Sequence, residues 1–568
     1  MIHARVLASI LAALLAVPAE AQSWLPTSPF PAWGATQPAT ILTLDYDQAL
    51  TAAGNGARLV AATNALLPGQ GLAIGPGVWL VPQRIDLHGV GSPQAPIWLF
   101  AADPSQRPVI TRADASQNAL NMGSNGAARY WVLRDLEITG GSDLLRLYDC
   151  AQVWIDRCFL HDGSGVGIAA NTFPCDHLHL TRNHIARPGP GTTGEGIYLG
   201  GNFGSVIVSW SIVAGNHVHD TRTAVAGQGD GIELKQGSHH NWIVGNHVHD
   251  CRNPCILVYG TDGTAENVVD GNYCYDSDDV VLQVQGEAIV RNNVALGGSN
   301  AFSSHDHQGP SRDLVLMHNT FVSQNRAASM QSWNNRPGMV VANNVCYSLG
   351  AESIRFGNGS AGVQMAGNVV LGPVQNASGG FTFGSGLQDF VDVWLSPWRL
   401  DVTPRVGGAI DNRGEPSLAF ASDLLGRPRM LPTDPGAVTN PTTFAASTPF
   451  VNLATGGVQQ LDFDAPAFAG MPYVVVGSIS GTMPGAQLGA ITLPLQVDDW
   501  TSYTLTFANS GGLQNTLGLL DGAGRATASL VLPPLPPFLN GLVAHHALVV
   551  IQGTQGTFAS NPVSLTLQ

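Results

Sequence analysis

The sequence has few charged side chains and a single lysine. Charged residues make up 11% of the 568 residues, and Lys235 is the one lysine among 25 basic residues. Asp and Glu outnumber Lys and Arg by 40 to 25, which gives a formal net charge of -15. Nucleic-acid binding depends on clustered positive charge that neutralises phosphates. We therefore expect no nucleic-acid partner, and a polyanionic ligand would need a local positive site.

Long hydrophobic runs are also lacking beyond the first residues. Arg5, the apolar run 6–16 and an Ala-Glu-Ala site at 19–21 are typical of a signal peptide that is cleaved before Gln22. No later stretch reaches the roughly 18 apolar residues of a membrane span. The sequence therefore predicts an exported protein, either extracellular or held in a periplasm or at a cell surface, with no membrane span.

Cysteine is scarce and present in an odd number. All the cysteines precede residue 350, and no CxxC pair indicates a zinc site. If the others pair after export, at least one thiol stays unpaired. The seven positions are Cys150, Cys158, Cys175, Cys251, Cys255, Cys274 and Cys346.

Glycine and proline are abundant instead, with 67 and 36 residues, a composition typical of many short strands joined by turns. An Asn followed two residues later by an apolar side chain recurs about every 25 residues, together with apolar alternation such as Ile232-x-Leu234. Short strands at this period predict an all-β protein, a parallel β-helix whose stacked amides hydrogen-bond from turn to turn. The repeated positions are Asn183, Asn216, Asn246, Asn272, Asn292, Asn319, Asn343 and Asn368.

Two segments resemble those of right-handed parallel β-helix proteins of the pectate lyase-like type. The stretch GQGLAIGPGVWLVPQRIDLHG is similar to their opening coil, with Trp79 at the usual aromatic position, and DNRGEPSLAFASDLLGRPRMLPTDPGAV resembles their closing tail. The sequence predicts a signal peptide at 1–21, an N-terminal segment at 22–56, a β-helix at 57–394 with a capping helix over 57–67, a closing tail and linker at 395–444, and a β-sandwich accessory domain at 445–568.

The predicted C-terminal domain differs in composition from the repeats. After about residue 445 the chain has one arginine and no lysine, and it contains alternating strands such as Tyr473-Val-Val-Val-Gly. This pattern favours a small β-sandwich. We expect either an accessory carbohydrate-binding or surface-sorting module, or a cap that aids packing and solubility.

The one lysine lies in DGIELKQGS, residues 230–238. Arginine keeps its proton in proteins, whereas a lysine, with an ordinary pKa of ~10.4, can be tuned to act as a base. Asp230, Glu233 and Glu195 are close to it along the predicted turns. Carboxylates from adjacent turns can bind Ca²⁺, which takes about six to eight oxygen ligands. The alternative is an exposed ion-pair network without a cation.

This spacing resembles the alginate lyase and chondroitinase type of β-helix lyase, where an acidic calcium ligand precedes the catalytic lysine by five residues. Asp230 and Lys235 match that pattern. The chain departs from it at Gln228, which replaces the first acidic ligand, and at 258–260, where Val-Tyr-Gly replaces Arg-His-Gly.

The resemblance implies roles for residues around the lysine. Lys235 would be the base and Tyr259 the acid, with Arg252 or Arg222 in place of the missing arginine that binds the substrate carboxylate. Glu195, Asp230 and Glu233 would hold the calcium ion.

Histidines form a second pattern, because HVHD occurs at 217–220 and again at 247–250. These side chains are either metal or acid–base residues or, by the simpler interpretation, repeated stacking positions. The segment 305–307 breaks the repeat near the lysine row. We expect His305 as an alternative acid, with His307 and Trp333 as substrate-binding residues.

The leading hypothesis is a secreted, monomeric polysaccharide lyase that cleaves an acidic, uronate-containing polysaccharide by β-elimination with a calcium ion. A uronan C5-epimerase would share the proton abstraction, and a glycoside hydrolase on the same scaffold would need two opposed carboxylates. A non-catalytic glycan-binding or surface protein is the alternative outside enzymes, since a solenoid offers long binding faces without chemistry.

Overall fold

The structure is a computed structural model that describes residues 24–190, 193–221, 223, 225, 227–405, 408–411, 413–427, 429, 433–439, 444–465, 468–482, 485–488, 491–553 and 555–568. The predicted signal peptide lies outside these residues. The chain divides into two compact units, one ending at Val438 and one beginning at Thr439.

The first unit is built from three long parallel sheets, which we call sheets 1, 2 and 3. The strands of sheet 1, in spatial order, are Thr40–Leu44, Gln70–Ile74, Ile97–Ala101, Ala128–Arg134, Cys150–Asp156, Cys175–Thr181, Ile212–Ala214, Trp242–Val244, Asn267–Asp270, Ala288–Arg291, Leu314–Met317, Val340–Ala342 and Gln364–Ala366. Two short strands, Gly89–Val90 and Val208–Ser209, pair with Ala128–Arg134 and Cys175–Thr181.

Sheets 2 and 3 continue each turn. The strands of sheet 2 are Val78–Leu80, Val109–Arg112, Glu137–Gly140, Phe159–His161, His184–Ala186, His217–His219, His247–Cys251, Tyr273–Ser277, Val294–Leu296, Thr320–Ser323, Val345–Ser348, Asn368–Leu371 and Phe381–Phe383. The strands of sheet 3 are Ile85–Leu87, Leu120–Met122, Leu145–Leu147, Ile168–Ala170, Ile197–Leu199, Ile232–Leu234, Ile256–Val258, Val280–Val284, Asn300–Ser304, Arg326–Met330, Ile354–Phe356 and Val374–Gln375.

Each strand pairs with the strand one turn away, in register. Ile197 pairs with Ile232, which pairs with Ile256, and all three are fully buried. Identical or similar apolar side chains therefore stack along the solenoid interior, where their burial stabilises the fold by roughly 25 cal/mol per Å². The predicted all-β fold, a parallel β-helix, is confirmed.

An asparagine ladder marks the bend between sheets 1 and 2. Asn216 Nδ2 donates to Asn246 Oδ1 at 2.9 Å and to the Leu180 carbonyl at 2.8 Å, and these contacts repeat along the ladder. The ladder satisfies buried backbone groups that the bend removes from the sheets. Its members are Asn183, Asn216, Asn246, Asn272, Asn293, Asn319, Asn344 and Asn368.

Two predicted ladder positions are wrong by one residue. Asn292 and Asn343 have φ of 55°, in the left-handed region that Gly215 and Gly245 occupy in other turns. Asn tolerates this conformation better than most residues, so the first Asn of each pair makes the turn and the second enters the ladder.

The N-terminal helix spans Ala52–Asn64, where the sequence predicted a helix over 57–67. Its helical start is fixed by Thr51, whose side chain accepts from the Gly54 amide at 3.1 Å. The strand Thr40–Leu44 already pairs in sheet 1, so the solenoid begins before residue 57, the predicted boundary. Leu59 and Val60 of the helix join the solenoid core.

After the last turn, an antiparallel hairpin of Phe390–Leu395 and Trp398–Pro404 packs its apolar face on sheet 2. Tyr347 donates to Asp389 at 2.5 Å beneath it. Short 3₁₀ turns occupy Ala32–Ala35, Asn202–Gly204, Leu387–Asp389 and Pro416–Leu418 in this unit. All seven cysteines are buried with free thiols.

The second unit has its own apolar core between two antiparallel-rich sheets. One sheet contains Phe444–Ala446, Gly457–Asp464, Arg525–Leu532 and Leu513–Gln514; the other contains Phe450–Val451, Val563–Leu567, Val543–Gln552, Pro472–Ser478, Leu517–Leu519 and Gln555–Ala559. A hairpin of Ala486–Leu488 and Ile491–Leu493, the helix Asp499–Thr506 and a 3₁₀ turn at Pro537–Leu539 complete it. The predicted C-terminal β-sandwich is confirmed.

Among the described residues, none of the helices combines the length and the apolar character that crossing a membrane requires.

Candidate active site on sheet 3

The candidate site lies on the outer face of sheet 3, where three successive turns meet. In the strand Ile232–Leu234 the two ends are buried in the core, so Glu233 between them points to the outer face. Register places it between Tyr198 and Leu257 of the neighbouring turns. Lys235 follows the strand, and its amide donates to the Leu199 carbonyl at 2.8 Å. Strand alternation therefore brings the lysine and the glutamate to one face.

Three carboxylates converge beside the lysine. One oxygen each of Glu195, Asp230 and Glu233 lie within 4.8 Å of one another, and the residues are only 2%, 3% and 2% exposed. Glu195 Oε2 and Asp230 Oδ1 are buried without a hydrogen-bond partner among the described residues. Buried, unpartnered carboxylate oxygens are costly, and a cation would compensate them.

The burial of this cluster disfavours ionised carboxyls. Burial raises the pKa of Asp230 well above its usual range, and the neighbouring charges of Glu233 and Glu195 add to the rise. Burial raises the pKa of Glu233 to about 7, although Lys235 opposes the shift. Burial also raises the pKa of Glu195. Ionisation of one of these carboxyl groups therefore disfavours ionisation of its neighbours.

Glycines allow the acidic segments to come so close to the core. A Cβ on Gly196 would lie 2.3 Å from Val218 Cγ1, and one on Gly231 would lie 2.3 Å from Val248 Cγ1. Each glycine adjoins an acidic residue, Glu195 or Asp230. Only a residue without a side chain fits at these two stacked positions.

Lys235 is held between two tyrosine rings. Its Nζ contacts Glu233 Oε1 and lies 5.0 Å from the ring centroids of both Tyr198 and Tyr259. The residue is 7% exposed. The one lysine is therefore an enclosed amine with a carboxylate on one side and aromatic faces on the other.

Two histidines extend this cluster. The His307 ring lies 5.1 Å from the Tyr259 ring and 5.6 Å from that of His305. Burial raises the pKa of Tyr259 and lowers the pKa of both histidines. His305 Nδ1 is buried and makes no hydrogen bond to any part of the chain that the structure describes. Tyr259 thus adjoins the lysine directly, His307 packs against Tyr259, and His305 lies beyond His307.

The loop that carries these histidines is tied to an earlier turn. Gln308 Oε1 accepts from the Phe203 amide at 2.7 Å, and its Nε2 donates to Asn202 at 3.0 Å. Asp306 accepts from Arg336 at 2.8 Å on the other side. These contacts bridge turns on both sides of Lys235 and hold the loop beside it.

Of the other predicted substrate-binding residues, one is placed differently from the expectation. Trp333 is fully buried in the solenoid core and donates to Ser304 Oγ at 2.9 Å, so its prediction as a substrate-binding residue is wrong. Because Ser304 pairs with Met330, Gln331 occupies the outer position one turn beyond His305. Arg252 pairs with Asp278 at 3.3 Å, and Arg222 lies outside the described residues.

Residues that sequence analysis did not assign also line this face. Gln285 lies one turn beyond Tyr259 on the same outer row, and Gln236 is the next residue in the chain after Lys235. Both have a buried amide oxygen with no hydrogen-bond partner in the described chain. Gln236 Nε2 donates to Asp262 at 2.6 Å. The alternation in VVLQVQ gives a signal for Gln285, but the uncertain register after residue 276 hid its place in the row.

A depression of about 610 Å³ lies elsewhere, near the ends of sheet 2 strands, and is lined by Arg112, Asp162, Arg187 and Asp220 among others. Arg187 in this depression pairs with Asp162 at 2.8 Å. The depression does not include Lys235 or the carboxylates beside it.

Comparison with known proteins is consistent with this architecture. A family model described as right handed beta helix region matches residues 112–272. No curated protein matches the chain. An alginate lyase from Paenibacillus sp. str. FPU-7 is similar at 16% identity, covering 59% of this chain and 99% of that one, with a TM-score of 0.35.

Two further solved structures are similar at 11% identity. A mannuronic acid specific polysaccharide family 6 lyase from human gut microbiota covers 61% of this chain and 90% of its own, with a TM-score of 0.37. The enzymatically active domain of Bacteriophage CBA120 tailspike protein 2 covers 88% and 71%, with a TM-score of 0.26. Together, the family match and the three parallel sheets show that the chain contains a right-handed parallel β-helix.

Proposed function

We propose that the protein is an exported polysaccharide lyase that cleaves a uronate-containing polysaccharide by β-elimination at Lys235. The observation that carries the proposal is the enclosure of the one lysine of the chain beside three buried carboxylates and two tyrosine rings. Perturbed ionisable groups concentrated in one place are typical of catalytic sites. The predicted signal peptide supports a reaction outside the cytoplasm.

The reaction needs a base that takes the proton and an acid that protonates the leaving oxygen. The amine of Lys235, in its neutral form, takes the proton from the carbon next to the uronate carboxylate. The electron pair left there forms a carbon–carbon double bond as the bond to the glycosidic oxygen breaks. The leaving oxygen takes a proton from an acid, and the products are an unsaturated uronate and a new chain end.

The carboxylate cluster fits a hard cation such as Ca²⁺. The donors are oxygens only, and two of the buried oxygens, on Glu195 and Asp230, lack partners among the described residues. A bound calcium ion would neutralise a substrate carboxylate and so acidify the adjacent proton. Glu195, Asp230 and Glu233 would hold the ion, and Lys235 lies next to Glu233.

Tyr259 is the acid that the geometry favours. Its ring is 5.0 Å from Lys235 Nζ, and burial raises the pKa of its phenol, so the proton is retained until the leaving oxygen forms. His305 is the alternative acid, and its ring stacks on that of His307. Arg252 and His307 remain the proposed contacts for substrate carboxylates, and Arg252 adjoins Gly229 next to Asp230.

The experiment is a substrate screen with an optical readout. Purified protein is mixed with alginate, pectate or glycosaminoglycans, with Ca²⁺ or with a chelator, and the ultraviolet absorbance of unsaturated uronates is followed. The proposal predicts a rise with one polymer class that the chelator suppresses. Arg355→Ala, a change of a basic side chain further along the same sheet, is the control and should keep wild-type rates.

The alternatives give different results in the same screen. Exchange of the uronate proton with solvent but without absorbance identifies an epimerase, and binding without either change identifies a glycan-binding protein; both contradict the proposal. Tyr259→Phe should lower the rate ~10²–10⁴-fold while His305→Ala has less effect. The reverse order would assign the acid to His305.

A further inference from the structure

Sheet 2 carries a second cluster, on a different face of the solenoid from Lys235. Five histidines stand in two adjacent columns of its outer surface, and strand register stacks them across three turns. The first column holds His184, His217 and His247, and the second holds His219 and His249. Their rings stack about one strand spacing apart, for example 4.9 Å between His184 and His217.

The imidazoles meet diagonally through their Nε2 atoms. His184 Nε2 lies 2.7 Å from His219 Nε2, and His217 Nε2 lies 2.9 Å from His249 Nε2. Ring nitrogens also converge in threes: one nitrogen from each member of His184, His217 and His219, or of His217, His247 and His249, lies within 4.8 Å of the others. The two groups of three share His217.

Carboxylates brace the second column from behind. His219 Nδ1 lies 2.8 Å from Asp220 Oδ2, and His249 Nδ1 lies 2.7 Å from Asp250 Oδ2. A carboxylate only accepts hydrogen bonds, so Nδ1 carries the proton and Nε2 presents a lone pair. A carboxylate–histidine pair with a free Nε2 is the arrangement that holds histidine ligands at metal sites.

We propose that this array, residues His184, His217, His219, His247 and His249, binds a divalent transition metal ion of the zinc type. Imidazole nitrogen is a preferred ligand of Zn²⁺ and related ions, and hard cations such as Ca²⁺ prefer oxygen. Because both groups of three need His217, one ion binds per chain.

Only small side-chain movements are needed for ligation. Tetrahedral zinc with Zn–N of about 2.0–2.1 Å requires nitrogens roughly 3.3 Å apart. The observed pairs at 2.7 and 2.9 Å therefore separate slightly, and the third nitrogen of each group moves inward.

The competing interpretation is a hydrogen-bonded aromatic stack. His184 can donate from Nε2 to His219, and Phe159 and Tyr275 continue the stack at its two ends. Stacking alone explains the ring spacing. It does not require the paired aspartates that orient two Nε2 lone pairs toward the first column.

Calorimetric titration of the full-length protein with Zn²⁺ tests the proposal. Excess Ca²⁺ is added first to occupy the carboxylate cluster on sheet 3. We expect one saturable zinc site, and Co²⁺ should give the visible absorption of nitrogen-coordinated cobalt. His184→Ala leaves one group of three and His247→Ala leaves the other, so each should keep a site.

The shared ligand gives the decisive contrast. His217→Ala should weaken zinc binding by more than the ~10–100-fold that the loss of an outer partner costs, because both groups lose a ligand. The double variant His184→Ala/His247→Ala breaks both groups without touching His217 and should do the same. In the His184→Ala background, Asp250→Asn should weaken binding by ~10–100-fold.

His88→Ala, at an exposed histidine outside the array, is the matched control and should bind as the wild type does. Circular dichroism establishes that each variant is folded. Equal zinc binding by all the histidine variants, or no saturable binding by the wild type, would overturn the proposal and leave an aromatic stack with adventitious zinc only. Neither result bears on the lyase, since these residues lie on another sheet from Lys235.

Discussion

At the scale of residues, the main feature of the candidate site is that its ionisable side chains are buried without a substrate bound. Asp230 and Glu195 have oxygens without hydrogen-bond partners among the described residues, and Lys235 forms its ion pair with Glu233. Net negative charge in a buried cluster is unfavourable, and the raised carboxyl pKa values express that cost. This arrangement contributes little to stability, and under the proposed function it would supply oxygen ligands for a cation.

The pH dependence of stability follows from Asp230. Its folded pKa lies above the unfolded one, so between the two values the folded state holds a proton that the unfolded state has released, and stability falls as pH rises. In chelator, Asp230→Asn should therefore melt higher than the wild type at pH 8, and this advantage should shrink toward pH 5. Each unit of pKa elevation corresponds to about 1.4 kcal/mol.

Calcium should reverse that order. Added Ca²⁺ should raise the melting temperature of the wild type at pH 8 and have little effect on Asp230→Asn, since a ligand that binds only the folded state stabilises it. A variant that melts below the wild type in chelator, or an equal calcium response in both proteins, would disprove the cation-site interpretation. Differential scanning calorimetry measures both.

At the scale of elements, the sequence pattern predicted strands better than their register. Apolar alternation identified strands such as Ile232–Leu234, because inward side chains must be apolar in every turn. It misplaced Trp333, since turn lengths vary and a shift of two residues keeps the alternation intact. The Asn-Asn pairs were also ambiguous, because Asn suits both the left-handed turn position and the ladder.

A second ladder escaped the sequence analysis altogether. At the start of sheet 1 the Ser211 amide donates to Asn241 Oδ1 at 3.0 Å, and the Asn241 amide donates to Asn267 Oδ1 at 3.0 Å. Because one turn has serine at this position, Ser211, the asparagine repeat is not visible in the sequence. Side-chain identity alone does not reveal which amides face one another across turns.

The asparagine ladder between sheets 1 and 2 gives a stability prediction. Asn246→Ala removes donors to the Val213 carbonyl and Asn272, and leaves the buried Asn216 amide without its acceptor. Each buried group left unsatisfied costs about 1–3 kcal/mol, so we expect a loss of at least ~2 kcal/mol, measured from urea unfolding. Asn325→Ala, at an exposed position off the ladder, should change stability by less than ~0.5 kcal/mol. Equal effects of the two changes would refute the structural role of the ladder.

At the scale of the whole molecule, composition separated the two units, because lysine is absent and arginine nearly absent after residue 445. The second unit has its own core, which includes Leu461, Val475 and Leu548 from two sheets. A core of this kind is what allows a domain to fold alone.

The separate core predicts independent folding. A fragment of residues 439–568 should be soluble and should unfold in one cooperative transition. Trp500 is its single tryptophan and donates to His546 at 3.1 Å, so its fluorescence reports on the folded core. A fragment without a cooperative transition would show that the second unit depends on the first.

The central claim is that Lys235 acts as a proton-accepting amine, and its comparison with arginine tests this most directly. Initial rates of unsaturated uronate formation are measured for the wild type, Lys235→Ala and Lys235→Arg on the polymer that the screen identifies. Arginine keeps the positive charge but does not give up its proton. The account predicts that both variants lose activity by ~10²–10⁴-fold or more. Near wild-type rates for Lys235→Arg would show that the residue supplies only charge and would contradict the account.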